Sequence, residues 1–152
     1  KQRSIMTTLI DVADFRLTAT GEEVPGLTTY REQMAAADGL VIVAPEYNHG
    51  YPGELKLLLD SDFAAYVRKP VGLVTVSSGR IGGARVAEQL RLLASAFRMV
   101  PVSPGLHVVD AERAVGPDGR FASSSLEQVA SDMLNEVVWF AEALAPARAA
   151  QL

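Results

Sequence analysis

No cysteine occurs in the 152 residues, which excludes a disulfide framework, a thiolate metal site and a cysteine nucleophile together. There is one tryptophan, and the only histidines are His49 and His107. A Gly-x-Ser-x-Gly elbow, a paired-histidine zinc motif and a cluster of metal-binding carboxylates are all missing, so no metal site is expected. Lysine and arginine nowhere gather into a block and the formal charge is −4, which argues against nucleic acid or an anionic membrane as partner. The longest apolar stretches, such as Leu40–Ala44, fall far short of the roughly 20 residues that span a bilayer. The first residues are polar, not basic and then apolar, so no targeting signal is legible. A small soluble partner and a cytoplasmic location are the expectations that remain, the latter only as compatible with the lack of cysteine.

What is present alternates between two periods. Ser4–Val12 is β-branched and apolar enough for a strand, and Thr28–Ala37 places Tyr30, Met34 and Ala37 on one helical face. Gly39–Ala44 is a short continuous apolar run, which predicts a strand buried on both faces, as in a parallel sheet covered by helices. Pro52 stands where a helix would begin, and Glu54–Ala65 continues it. Val71–Ser77 predicts another strand, followed by the turn Ser78–Gly83 and a helix over Ala84–Phe97 carrying Val86, Leu90, Leu93 and Phe97. Met99–Val102 and Leu106–Val109 are short strand candidates around Ser103-Pro104-Gly105, and Pro117-Asp118-Gly119 marks a tight turn. Ser124 or Ser125 is expected to cap a last helix running to about Ala145, with an Ala-rich tail fraying beyond it. Trp139 and Phe140 on that helix are expected to pack, not to stack on a cofactor. The alternation implies an α/β fold with a mainly parallel sheet and right-handed crossovers.

In an open α/β sheet, ligands lie outside the carboxyl ends of the strands, so the segments after Ala44 and Ser77 carry the chemistry. The first reads Pro45-Glu46-Tyr47-Asn48-His49-Gly50-Tyr51-Pro52-Gly53. Pro45 should stop the strand and release the N–H groups of Glu46, Tyr47 and Asn48 towards the crevice. Tyr47 offers an aromatic face, and the Asn48 side chain can fix the turn or donate to a ligand. The same composition also suits a plain strand-to-helix connection in which Tyr47 and Tyr51 only cover the core. The second loop, Ser77-Ser78-Gly79-Arg80-Ile81-Gly82-Gly83, follows a buried strand and opens a helix. Glycine there permits close backbone approach, and free N–H groups at a helix start attract anions or carbonyl oxygens. Its spacing is neither a dinucleotide fingerprint nor a phosphate loop of the ATPase kind. His49 is expected to be solvated, His107 to be a strand residue without a special role, and Asp11 and Asp14 lack the partners of a phosphoacceptor pocket.

Taken together, Pro45-Glu46-Tyr47-Asn48, the Pro52-Gly53-x-Leu55-Lys56 helix start, Asp60 and the Ser78-Gly79-x-x-Gly82-Gly83 turn leading to Glu88-Gln89-Leu90-Arg91 resemble the NADPH-dependent FMN reductase family. This flavodoxin-like group also contains quinone, chromate and azo-dye reductases. The resemblance runs from about Ser4 to Val109 and implies a flavodoxin-like three-layer sandwich with strand order 2-1-3-4-5. It further implies FMN as cofactor, NADPH or NADH as electron donor, a small-molecule electron acceptor, and a homodimer or homotetramer. By the same resemblance Pro45, Glu46, Tyr47 and Asn48 line the isoalloxazine and ribityl portions. Ser77, Ser78, Gly79, Arg80, Gly82 and Gly83 reach the pyrimidine end, with donors near carbonyls where charge builds on reduction. The flavin carries the redox chemistry, so no protein acid, base or nucleophile is required. A non-catalytic flavin-binding or partner-binding module is the alternative. Arg80 and Arg85 are candidates for meeting a 2′-phosphate, or are solvated surface charges.

The sequence departs from the family at its start. A strand, a phosphate-cradling Gly-Ser-x-Arg type loop and a helix are expected before Ser4, yet the sequence opens Lys1-Gln2-Arg3 without methionine. An empty central strand would leave buried backbone groups unpaired at about 1 to 3 kcal/mol each. A single flavodoxin-like domain over residues 1–152, N-terminally incomplete, is therefore the expectation, with weakened FMN affinity if the phosphate cradle is absent. Leu57-Leu58-Leu59 replaces a more polar family pattern and fits either an apolar dimer contact or a buried core face.

Overall fold

The computed structural model describes residues 5–20 and 22–150. Among the described residues four strands form one parallel sheet: β1 (Leu40–Pro45), β2 (Pro70–Val76), β3 (Val100–Pro101) and β4 (Leu106–Val108). β1 pairs with β2 from Leu40↔Val71 to Pro45↔Val76. On the other side of β2, β3 pairs at its start and β4 at its end, so these two act as one interrupted edge strand. The α-helices of the described residues are α1 (Leu27–Ala36), α2 (Gly53–Asp60), α3 (Ala84–Ala96), α4 (Ala111–Ala114) and α5 (Ser124–Ala149).

Alternation along the strands assigns the two faces. Ile42 and Ala44 of β1 and Val71 and Leu73 of β2 pack with α1, α2 and α3 through Tyr30, Met34, Leu55, Leu58, Leu90 and Phe97. Val74 and Val76 of β2 face the other way, with Leu106 and Val108 of β4, against Met133 and Val137 of α5. Two packed layers around a parallel sheet thus confirm the expected α/β class.

Several local expectations need correction. Within Ser4–Val12, Ser4 lies outside the described residues; from Ile5 onward the segment has no ladder partner, and Val12–Asp14 is a 3-10 turn capped by Asp11, whose Oδ1 accepts from the Ala13 N–H at 2.9 Å. A strand exists only against a neighbour, and among the described residues nothing pairs with this segment or with the outer edge of β1. Among the described residues strand position 2 of the expected order is therefore not formed, and β1, β2 and β3/β4 take the places of 3, 4 and 5. β1 is buried on one face only. α5 packs chiefly on β2 and β4, and Val41 and Val43 stay 41% and 62% exposed.

The helix expected over Glu54–Ala65 ends at Asp60, because the Ser61 hydroxyl and N–H both turn back onto the Leu58 carbonyl; a 3-10 turn, Ala64–Tyr66, follows. Leu58 and Leu59 lie in the core at 2% and 4% exposure, so burial accounts for them. The final helix is capped by Ser123, whose Oγ accepts from the Ser125 N–H at 3.3 Å. It continues through Pro146 to Ala149 without fraying, held by Arg148, which donates to Asp38 Oδ1 at 2.7 Å and to the Arg68 carbonyl at 3.3 Å. Phe140 packs on the α5 side of the core, whereas Trp139 is exposed and stands edge-to-face against Phe140. The turn at Pro117-Asp118-Gly119 forms as expected, closing Gly116 onto the Arg120 carbonyl at 2.8 Å.

Candidate functional site

The loops after β1 and β2 leave the sheet side by side, because Pro45 and Val76 are register partners. Their internal wiring differs from the simplest expectation. Glu46 N–H is not released: it extends the ladder to the Val76 carbonyl at 2.9 Å. Tyr47 and Gly50 exchange both backbone bonds, at 2.9 and 3.0 Å, so Asn48 and His49 form the tip of a two-residue hairpin. Both tip residues have positive φ, 49° and 71°, the signs of a type I′ turn. Of the three expected donors, only the Asn48 N–H lacks a protein acceptor among the described residues. The Tyr47 ring stands 65% exposed beside it, while Tyr51 packs against the core.

α3 straps this hairpin down. Arg85 donates to Glu46 Oε1 at 3.0 Å, and Gln89 donates to the His49 carbonyl at 2.7 Å. Positions 85 and 89 are one turn apart and therefore share a helix face. The Glu46 side chain is only 7% exposed, and its Oε2 is buried with no hydrogen-bond partner. An unpaired buried acceptor of this kind costs about 1 to 3 kcal/mol and is relieved by any donor that reaches it. His49, expected to be solvated, is exposed but contributes its carbonyl to the strap.

The second loop is folded tightly over the strand ends. Ser77 continues the ladder to the Val108 carbonyl at 3.0 Å, and its Oγ accepts from the Gly79 N–H at 2.9 Å. Gly82 N–H turns to the Gly79 carbonyl at 3.5 Å. The expected donors Gly79 and Gly82 are thus engaged within the loop, because so tight a turn satisfies itself first. The N–H groups of Ser78, Arg80, Ile81 and Gly83 keep no protein acceptor among the described residues. Gly82 and Gly83 have φ of 57° and 77°, and a Cβ would lie 2.9 Å from His107 C in the first case and 2.8 Å from Thr75 Cβ in the second. Beneath them Thr75, fully buried, donates to the Gly82 carbonyl at 2.7 Å and lies 2.8 Å from His107 Nδ1. Sequence reasoning missed Thr75 and gave His107 no role. A hydroxyl in the otherwise apolar run Val71-Gly-Leu-Val-Thr-Val, just ahead of a glycine pair, was the available signal.

The result is a rim of backbone donors at the start of the 13-residue helix α3, next to a strapped hairpin that presents an aromatic ring. Such a rim favours anions or carbonyl oxygens. Arg85 is occupied by Glu46, whereas Arg80 is exposed with no ion-pair partner among the described residues. A cleft of about 300 Å³ lies on the other flank of the hairpin, along the outer edge of β1 between Ile10, Val12, Val43, Pro45, Pro52 and Leu55. Among the described residues no group of three or more His, Asp or Glu side chains could hold a metal ion, and no helix is long and apolar enough to cross a membrane.

Parallel strands with helices on both faces and paired loops at their carboxyl ends define a flavodoxin-like protein. Solved structures share this fold: the flavoenzyme NAD(P)H:(acceptor) oxidoreductase FerB of Paracoccus denitrificans superposes with a TM-score of 0.66 at 21% identity, over 86% of this chain and 75% of that one. The chain belongs to the NADPH-dependent FMN reductase family, whose sequence model matches residues 1–113. It is 34% identical over 110 residues to an NAD(P)H-dependent FMN reductase of Schizosaccharomyces pombe, a match covering 64% of this chain and 54% of the relative. A quinone reductase of Escherichia coli K12 is 47% identical over 64 residues, 40% of this chain and 34% of that protein. The chain therefore spans about half the length of the first relative and about a third of the second.

Proposed function

We propose that the chain is an FMN-dependent NAD(P)H oxidoreductase that passes electrons through bound flavin to a small acceptor such as a quinone or free flavin, in two successive half-reactions. The observation that carries this reading is the pairing of an exposed aromatic ring, Tyr47, with acceptor-free N–H groups at Asn48, Ser78, Arg80, Ile81 and Gly83, at the ends of two adjacent strands. Donors on one side and an aromatic edge on the other are what a flat heterocycle bearing carbonyls requires. The buried, unpaired Glu46 Oε2 adds an acceptor for a ring or ribityl donor. The residues present thus fit the ring end of FMN.

Bound FMN would accept and release hydride, which removes the need for a protein nucleophile or acid-base pair. The protein's part is positional and electrostatic. The hairpin, held by Arg85 and Gln89, would fix the ring laterally through Tyr47 and Asn48, with Pro45 and Glu46 as its base. The loop Ser77–Gly83 would oppose the carbonyl edge, with the acceptor-free N–H groups of Ser78, Arg80, Ile81 and Gly83 as the donors that stabilise the charge of the reduced state. With Arg85 engaged, Arg80 is the better placed of the two cations to meet a 2′-phosphate, which favours NADPH. We read the chain as one domain acting in the cytoplasm as a homodimer or homotetramer, a state that analytical ultracentrifugation tests. The activity is tested by adding FMN to purified protein and following NADPH oxidation with and without a quinone. A yellow protein that oxidises NADPH faster when quinone is present supports the proposal. Bound FMN without reduction by either nicotinamide supports a non-catalytic module instead.

A further inference from the structure

Thr75 and His107 are register partners across β2 and β4, on the sheet face that carries α3. Thr75 is 0% exposed. Its hydroxyl has two neighbours: the Gly82 carbonyl at 2.7 Å and His107 Nδ1 at 2.8 Å. A carbonyl can only accept, so the single hydroxyl hydrogen goes to Gly82, and Oγ1 must accept from the imidazole. His107 Nδ1 therefore carries a hydrogen, and in the neutral ring the lone pair sits on Nε2.

We propose that His107 and Thr75 form a one-directional positioning relay, Nδ1–H to Oγ1–H to the Gly82 carbonyl, that gives the Ser77–Gly83 loop its ligand-facing polarity. The reading rests on the flavin site proposed above. The Gly82 carbonyl is the acceptor this loop would otherwise turn outward, among the acceptor-free N–H groups of Arg80, Ile81 and Gly83. Facing a ligand carbonyl, it would repel. Drawn down onto Thr75, it removes one acceptor from beside these donors, which suits a ring edge that gains negative charge. Two close approaches show how tightly the loop is seated on the relay: a Cβ on Gly83 would lie 2.8 Å from Thr75 Cβ, and one on Gly82 2.9 Å from His107 C. In this relay Thr75, fully buried, and His107, bonded to it, act through the loop.

The test is long-range ¹H–¹⁵N correlation of the His107 ring in the full chain, with ¹⁵N relaxation of residues 80–83, in wild type, Thr75→Val and Thr75→Ser. The relay requires the Nδ1–H tautomer in wild type and in Thr75→Ser. In Thr75→Val, Nδ1 loses its acceptor, the tautomer shifts towards Nε2–H and residues 80–83 gain mobility. FMN titration by fluorescence quenching should then show a dissociation constant about tenfold weaker in Thr75→Val and restored in Thr75→Ser, the size of one lost hydrogen bond. An Nε2–H tautomer in wild type overturns the relay, as does a folded Thr75→Val with unchanged tautomer and loop relaxation. If Thr75→Val does not fold, the wild-type tautomer and Thr75→Ser decide. Should wild type bind no FMN, the flavin reading fails on its own while the NMR arm still judges the relay.

Discussion

Gly83 places its backbone where no side chain fits: φ is 77° and a Cβ would lie 2.8 Å from that of the buried Thr75. Gly83→Ala therefore combines left-handed backbone strain with overpacking, a loss of about 2 to 4 kcal/mol in urea unfolding. A second residue-scale consequence concerns Tyr30 and Tyr66, whose buried hydroxyls are 2.6 Å apart. Burial raises the pKa of both above the ordinary tyrosine value. The folded protein keeps protons that the unfolded chain releases near pH 10, so this contribution to stability is complete below about pH 10 and is lost as pH rises beyond it. Melting temperature followed from pH 8 to 11 should fall in the last unit. In Tyr66→Phe the Tyr30 hydroxyl loses its partner, at about 1 to 3 kcal/mol, and the alkaline slope becomes shallower.

At the scale of elements, α3 does two jobs. Val86, Leu90 and Ala94 bury its inner face, while Arg85 and Gln89 hold the hairpin. Arg85→Ala leaves the nearly buried Glu46 carboxylate without its cation, so the hairpin should loosen at a cost of about 1 to 2 kcal/mol, the Arg85 side being half exposed. Hydrogen exchange at Tyr47 and Gly50, whose N–H groups close the hairpin, is the readout, and unchanged protection there would show that the strap is idle. α5 is likewise tied at its far end: Arg148→Ala removes the contacts to Asp38 and the Arg68 carbonyl and should speed exchange over the last two turns alone.

Across the whole molecule, sequence and structure agree where the hydrophobic period was unambiguous. β2, α1 and α3 fall within a residue or two of their expected bounds because their apolar faces meet a core wherever the chain packs. Elements that depend on a distant partner were not legible in this way. Ser4–Val12 has strand composition, but composition supplies no neighbour; Gly39–Ala44 is apolar on both faces, yet Val41 and Val43 gain burial only if something lies over them. The site shows the same division. The two loops and their adjacency followed from strand ends, whereas the choice of free N–H groups followed from local wiring that no residue type announces: Glu46 and Tyr47 bond inward, Asn48 does not. Thr75, His107 and the Arg85–Glu46 pair join residues 32 and 39 positions apart, a relation that spacing alone cannot reveal.

In the proposed site the hairpin Pro45–Gly50 and the loop Ser77–Gly83 grip one planar redox ring between them. Titrating FMN into the ¹⁵N-labelled full chain tests it most directly. The prediction is saturable shifts concentrated at Tyr47, Asn48, Ser78 and residues 80–83, with residues along α5 unmoved. Saturable shifts gathered elsewhere, or none at millimolar FMN, would contradict it.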